Sequence, residues 1–130
     1  MPAIALRCRA CGAEYTDDLV GSCTDCFGPL QPVYDWEELR SRLSHESIAG
    51  GPPSIWRYQD LLPVAAPADA RLAPGLSPLL PAPRLASAVG LRQLSLKLDT
   101  ANPTHSFKDR AVAVAAVKAE ELSISTLACS

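Results

Sequence analysis

The spacing of apolar side chains changes several times along these 130 residues, and each change predicts a different element. Within residues 1–34, Leu6, Tyr15, Val33 and Tyr34 suit small strands set around four cysteines. Trp36, Leu39 and Leu43 then fall at i, i+3 and i+7, one face of a helix over residues 35–43. Asp35 can cap that helix, Glu37 and Glu38 suit its first turn, and Arg40 and Arg42 suit its last. Gly50-Gly51-Pro52-Pro53 marks a loop within residues 44–53. A second short helix follows over residues 54–62, capped by Ser54 and stopped before Pro63. Residues 63–84 are rich in Pro and Ala, so they should be extended or irregular; they are too apolar for a free linker and should pack on something.

From residue 84 the pattern becomes more regular. A helical turn over residues 84–91 should end at Gly90 in a left-handed cap. Leu94, Leu96 and Leu98 alternate over residues 93–99, as in a strand. Residues 106–122 read as a helix, with Ser106 and Asp109 in the arrangement of a capping box. Its interior, Ala111 to Val117, is small and apolar on nearly every side, which predicts a buried helix. Residues 123–128 read as a second strand. Strand, helix and strand at this spacing form a βαβ unit of a parallel sheet. The predicted fold class is therefore α/β: a βαβ unit at residues 84–130, a connecting segment at 35–83, and a small β module at 1–34.

Composition narrows the field of functions. Apolar residues make up 48% and charged residues 20%, so a packed core is expected and not disorder throughout. A net charge of −2 gives no electrostatic reason to expect nucleic acid as a partner. No apolar run approaches the roughly 20 residues of a membrane span. The N-terminus lacks a signal-peptide pattern, which makes the cytosol the default compartment.

Cys8-x-x-Cys11 and Cys23-x-x-Cys26 are separated by eleven residues. Two such knuckles suit tetrahedral zinc, because each presents two thiolates from one turn and the pair closes the shell. Gly12 and Gly28 stand where a tight turn often needs glycine. Disulfides are a competing reading, unsupported by any secretory signal. A redox pair is another, although redox sites usually need one such motif only. Four thiolates leave no open position, so the zinc would be structural. Cys129, far off in an apolar strand, reads as a buried inert thiol.

Asn102-Pro103-Thr104-His105-Ser106-Phe107-Lys108-Asp109-Arg110 carries the candidate chemistry. Lys108 falls in the first turn of the predicted buried helix. There the helix dipole and partial desolvation would make an amine nucleophilic enough to bond a carbonyl. The plain alternative is a surface lysine at a helix start. This run resembles the cofactor-lysine motif of the threonine synthase family, which belongs to the fold-type-II pyridoxal-phosphate enzymes. Gly75-Leu76-Ser77-Pro78-Leu79 is similar to the segment before that family's first sheet strand, and Ser54-Ile55-Trp56-Arg57-Tyr58 to its N-terminal helix. The cysteine module resembles an extra zinc-ribbon-like unit on some bacterial and archaeal members.

The resemblance implies that Lys108 is both the catalytic and the cofactor-binding lysine, joined to pyridoxal 5′-phosphate as a Schiff base. It implies O-phospho-L-homoserine as the small-molecule substrate, and water addition with phosphate loss to give threonine. Cys8, Cys11, Cys23 and Cys26 would hold the structural Zn²⁺. Arg110 would steady the lysine turn through an ion pair. Two positions depart from the pattern: His105 stands where glycine is common, and Ser77 where threonine is usual. These leave open a related lyase of the same fold type, such as a cysteate synthase. A different class also stays open, a zinc-ribbon interaction module with a degenerate enzyme remnant. No glycine follows Gly90, so the glycine-rich phosphate cradle of the family is absent from this sequence. The expectation is an N-terminal fragment, inactive alone.

Overall fold

The structure, a computed structural model, describes residues 3–16, 20–67 and 72–128. The first unit is a three-stranded antiparallel sheet of β1 (Ala3–Cys8), β2 (Glu14–Tyr15) and β3 (Leu30–Tyr34), in the order β2-β1-β3. Leu6 stands opposite both Tyr15 and Pro32, as the small strands expected there require. Pro32 has no N–H to donate and sits on the edge strand β3, where a proline is tolerated. A salt bridge from Arg7 to Glu14, residues paired across β1 and β2, spans the exposed side of the sheet.

Helix α1 (Trp36–Arg42) forms as its pattern predicts, with the Asp35 carboxylate accepting from the Glu37 and Glu38 amides. Leu39 is buried, whereas Trp36 is half exposed and lies with its ring 5.5 Å from that of Tyr34. Helix α2 (His45–Ala49) lies in the stretch read as a loop; Ser44 and Ser47 close a capping box there. Residues Ile55–Leu61 are helical but wound as 3₁₀ with a kink at Tyr58, and the Ser54 hydroxyl caps them through the Trp56 amide. Arg42 of α1 pairs with Asp60 at 2.8 Å, and the Tyr34 hydroxyl donates to the Leu61 carbonyl at 2.7 Å. The 3₁₀ segment is thereby fastened to both the ribbon and α1.

The Pro-rich stretch packs where it is described. Val64 and Pro74 are fully buried, and the Trp56 indole donates to the Leu72 carbonyl at 2.9 Å. Trp56, Val64 and Ala113 make the core, with Ile55, Leu62, Val114 and Val117 around them. Ala113, Val114 and Val117 come from α4 (Asp109–Glu121), so the core joins the 3₁₀ segment to that helix. Glu121 at the other end of α4 accepts from the Ala65 amide at 2.8 Å.

Several expectations for the second half are corrected. Residues 79–81 form β4 (Leu79–Pro81), which pairs antiparallel with β5 (Ser95–Lys97) across α3 (Pro83–Ala88). The strand expected over 93–99 therefore exists, but its partner is antiparallel. Residues 124–128 form no strand, so the described residues contain no βαβ unit and no parallel sheet. A parallel strand needs a neighbour and covered faces to bury its apolar side chains. Here Ile124 and Leu127 are 42% and 60% exposed. For the same reason α4 is not buried on all sides: Val112 is 53% exposed. Gly90 takes the left-handed conformation expected of it, with φ +73° just beyond α3. Cys129 lies outside the described residues. No helix among the described residues is long and apolar enough to cross a membrane.

Trp56 is the largest side chain of the core and is 3% exposed. Trp56→Ala should lower the unfolding free energy by about 3–5 kcal/mol, read from urea unfolding. Trp36 is 56% exposed, so intrinsic fluorescence should report mainly the burial of Trp56.

Candidate metal centre and lysine loop

The two cysteine knuckles are built alike. In each, the amide four residues after the first cysteine donates to that cysteine's carbonyl, Gly12 to Cys8 at 3.1 Å and Phe27 to Cys23 at 2.9 Å. Each first cysteine in turn donates its amide five residues on, Cys8 to Ala13 and Cys23 to Gly28. Both turns need a left-handed residue at the same place. Gly12 supplies it with φ +81°, and Phe27 supplies it in the second knuckle with φ +57°. Gly28, expected to serve turn geometry, serves contact instead. A Cβ there would lie 2.8 Å from the Cys8 sulfur and 3.2 Å from the Cys26 sulfur.

The knuckles bring all four sulfurs within 4.8 Å of one another. Cys8 meets Cys26 at 3.5 Å, and Cys11 meets Cys23 at 3.5 Å. Tetrahedral zinc with arms of about 2.3 Å requires sulfurs roughly 3.8 Å apart. The donor set and spacing therefore fit that ion, with Cys8 and Cys23 buried and Cys11 and Cys26 exposed. Tyr15, predicted only as a strand residue, has a second role, since its hydroxyl stands 3.1 Å from the Cys23 sulfur. That hydrogen bond is the main reason the Cys23 thiol is lowered to about 6. The Cys26 thiol is lowered by its bond to the Gly28 backbone, yet the neighbouring sulfurs of Cys11, Cys8 and Cys23 push it up to about 12. Crowded sulfurs that resist carrying charge together are what a divalent cation relieves.

The second cluster surrounds the loop from Asp99 to Arg110. A 3₁₀ turn (Asp99–Ala101) leads into Asn102, and the His105 amide closes a tight turn on the Asn102 carbonyl at 2.8 Å. His105 has φ +62°. That left-handed conformation is one glycine adopts at no steric penalty, and the family's common glycine matches it. The imidazole offsets the strain locally, its Nδ1 proton going to the Thr100 carbonyl at 2.8 Å.

The capping box expected of Ser106 and Asp109 does not form. Asp109 is buried and turns back to accept from the Thr104 amide at 2.7 Å and from the Thr104 hydroxyl. Ser106 accepts from the Lys108 amide at 3.2 Å. Lys108 is the residue just before α4, with helical φ −65° and ψ −21°, and its carbonyl takes the Val112 amide. The expected desolvation of its side chain is not met. Lys108 is exposed and Phe107 beside it is 65% exposed, because the core packs on the Ala113 face of α4.

Arg110 makes the ion pair anticipated for it. Its guanidinium forks onto Asp99 at 2.9 and 2.7 Å and also donates to the Ser77 hydroxyl at 3.2 Å. Ser77 donates to Asp99 at 2.6 Å. Lys97 of β5 donates to the Ser77 carbonyl. Asn102 is 3% exposed, donates to the Asp99 carbonyl and accepts from the Gly75 amide, both at 2.9 Å. Asp99, the last residue of the strand expected over 93–99, has no partner assigned by the sequence pattern. The signal available was a lone carboxylate at the end of an alternating strand, eleven residues before an arginine.

Sequence similarity relates the chain to known proteins. The chain is 38% identical over 126 residues to the threonine synthase of Methanosarcina acetivorans, covering 96% of this chain and 30% of that one. It is 35% identical over 126 residues to the threonine synthase of Methanocaldococcus jannaschii, covering 95% and 31%. With the threonine synthase of a Synechocystis strain it shares 37% over 78 residues, 58% of this chain and 20% of that one. The chain thus spans about a third of the length of the first two relatives. No protein-family model matches it, and no solved structure matches it at a significant level.

Two expected outcomes follow from the geometry. Gly28→Ala should weaken zinc binding by roughly tenfold or more, measured by competition with a chromogenic chelator. Gly21→Ala should not, because a Cβ there meets nothing within 4 Å. Bonding to Arg110, then to Ser77, lowers the Asp99 carboxyl from 3.8 to about 2. A depressed carboxyl stabilises the fold above its unfolded value and loses that contribution as pH falls. The Asp99 contribution should therefore be whole above about pH 4 and decay toward about pH 2. Acid titration of thermal stability checks this, and Asp99→Asn should flatten that part of the profile. Along nearly its whole length, then, this chain is a sequence relative of the threonine synthases, and its cysteine cluster fits a zinc-ribbon module.

Proposed function

We propose that this chain is the N-terminal part of a pyridoxal-phosphate-dependent threonine synthase, a carbon–oxygen lyase. Its substrates would be O-phospho-L-homoserine and water, and its products L-threonine and phosphate. The observation that carries this reading is the loop around Lys108, whose residues match the family motif and whose backbone is fixed at the start of α4. Similarity to threonine synthases over 95% and 96% of the chain supports it.

Lys108 fits the cofactor as its covalent anchor, being a primary amine on a fixed backbone with an exposed side chain. When bound, pyridoxal phosphate supplies an electron sink for carbanions beside the amino group. The chain's own contribution is narrower. The Lys108 amine would hold the cofactor through its carbonyl carbon, the carbonyl oxygen leaving as water, and would carry protons to and from the substrate carbons. Arg110 is engaged by Asp99, which makes it a poor anchor for the substrate phosphate. Cys8, Cys11, Cys23 and Cys26 would hold one Zn²⁺ with no open position, a structural role. No phosphate cradle is built from these residues, as no glycine follows Gly90. The chain spans about a third of the length of the first two relatives, so turnover is proposed for a protein of their length.

A related lyase, such as a cysteate synthase, is the second reading. It is favoured by His105, which keeps an imidazole at a left-handed position three residues before Lys108.

Incubation of the extended protein with pyridoxal phosphate, followed by borohydride reduction and peptide mapping, should place the label on Lys108. Lys108→Ala should abolish both that label and phosphate release from O-phosphohomoserine. A label on another lysine would remove the basis of this reading. The 130-residue chain alone should release no phosphate.

A further inference from the structure

We propose that Asp99 and Arg110 are positioning residues for Lys108, closing its loop at the base and fixing where the lysine leaves the backbone. The proposal rests on the reading of Lys108 as the cofactor lysine. Because the Lys108 side chain is exposed, the position of its amine follows from its backbone. Three clasps hold that backbone, one inside another. Innermost, Ser106 accepts from the Lys108 amide at 3.2 Å. Around it, Asp109 binds the Thr104 amide and hydroxyl. Outermost, Arg110 binds Asp99 through two nitrogens.

The inner two clasps lie wholly inside the loop and would move with it. Of the three, the outer one refers the loop to the rest of the fold, beside the bond that Asn102 takes from the Gly75 amide at 2.9 Å. Asp99 also receives the Ser77 hydroxyl, and the Ser77 carbonyl receives Lys97 of β5. The loop is thereby registered against the antiparallel β4–β5 pair. Arg110, two residues after Lys108, makes the same connection from the helix side.

The Asp99–Arg110 pair, with side chains 28% and 31% exposed, is partly screened by solvent, so its contribution to folding is discounted although it is forked and networked. A forked guanidinium–carboxylate pair nevertheless fixes direction in a way a lysine cannot copy. Misplacing a reacting group by about 1 Å lowers rates by up to roughly 100-fold. The pair is thus suited to placing an amine as well as to holding these segments together.

The test uses the extended protein with Asp99→Asn and, separately, Arg110→Lys. Two readouts are taken: hydrogen exchange of the Thr104 and Lys108 amides, and the rate of borohydride-trapped pyridoxal-phosphate attachment at Lys108. Both variants should keep the circular dichroism of the unchanged protein, exchange those amides faster, and slow attachment by about tenfold or more. Faster exchange with unaltered attachment would overturn the positioning role and leave the Lys108 reading standing. Unaltered exchange would overturn it as well. Absence of label on Lys108 in the unchanged protein would instead overturn the cofactor-lysine reading, and the positioning role with it. Should Asp99→Asn fail to fold, Ser77→Ala loosens the same carboxylate from the β4 side and is read in the same way.

Discussion

The Asp99 carboxylate is the meeting point of the second half of the molecule. One of its oxygens accepts from Ser77 and Arg110, the other from Arg110 alone, while its carbonyl accepts from Asn102. These partners come from the segment before β4, from the loop, and from the first turn of α4. A single carboxylate thus sets three pieces of chain relative to one another. The bonds from Arg110 and Ser77 favour the ionised form and outweigh the desolvation that opposes it. Asn102 extends the same system by bridging to the Gly75 amide, and its burial leaves no water to replace a lost partner.

The first half depends on a different constraint. A sheet of three short strands buries little apolar surface, and among the described residues of the ribbon Cys8 and Cys23 have the fully buried side chains. Modules this small usually need a staple, and metal binding then becomes folding free energy. The matched knuckles and the missing side chain at Gly28 leave room for sulfurs in contact and little else. The ribbon also faces α4 across a cleft of about 550 Å³, with Ile4, Leu6 and Pro32 opposite Ala111, Val114 and Ala115. Its link to the remainder is therefore partly through Tyr34 and partly across loosely filled apolar space.

Local signals were legible in the sequence, and non-local ones were not. Asp35 and Ser54 cap the elements assigned to them because a cap needs only a neighbouring amide. The cysteine spacing was legible for the same reason, each knuckle being a turn of a few residues. The Ser44–Ser47 box of α2 was an equally local signal, masked by the Gly-Pro cluster that follows it. The β4–β5 pairing could not be read, since three-residue strands carry almost no alternation and Pro81 argued against a strand. The strand expected over residues 123–128 failed on context, because an apolar run becomes a buried strand only beside partners. Asp109 was misassigned because Ser106-x-x-Asp109 matches a capping box in spacing alone. The tight turn ending at His105 brings Thr104, not Ser106, to its carboxylate.

That turn bears on the chemistry proposed for Lys108. From the sequence, reactivity at Lys108 was expected to come from burial in an apolar helix. The structure leaves Lys108 exposed and spends its organisation on the backbone beneath it, with His105 held left-handed and Asp109 folded back. A loop held this way fixes the origin of a long, flexible side chain while leaving its amine free to meet a carbonyl. Desolvation can be supplied later by whatever covers the site, a cofactor included. In the proposed arrangement the direction of approach is set beforehand, by residues that flank the lysine in sequence. An arginine two positions on, pinned to a carboxylate on the far side of the loop, is the economical place to set it.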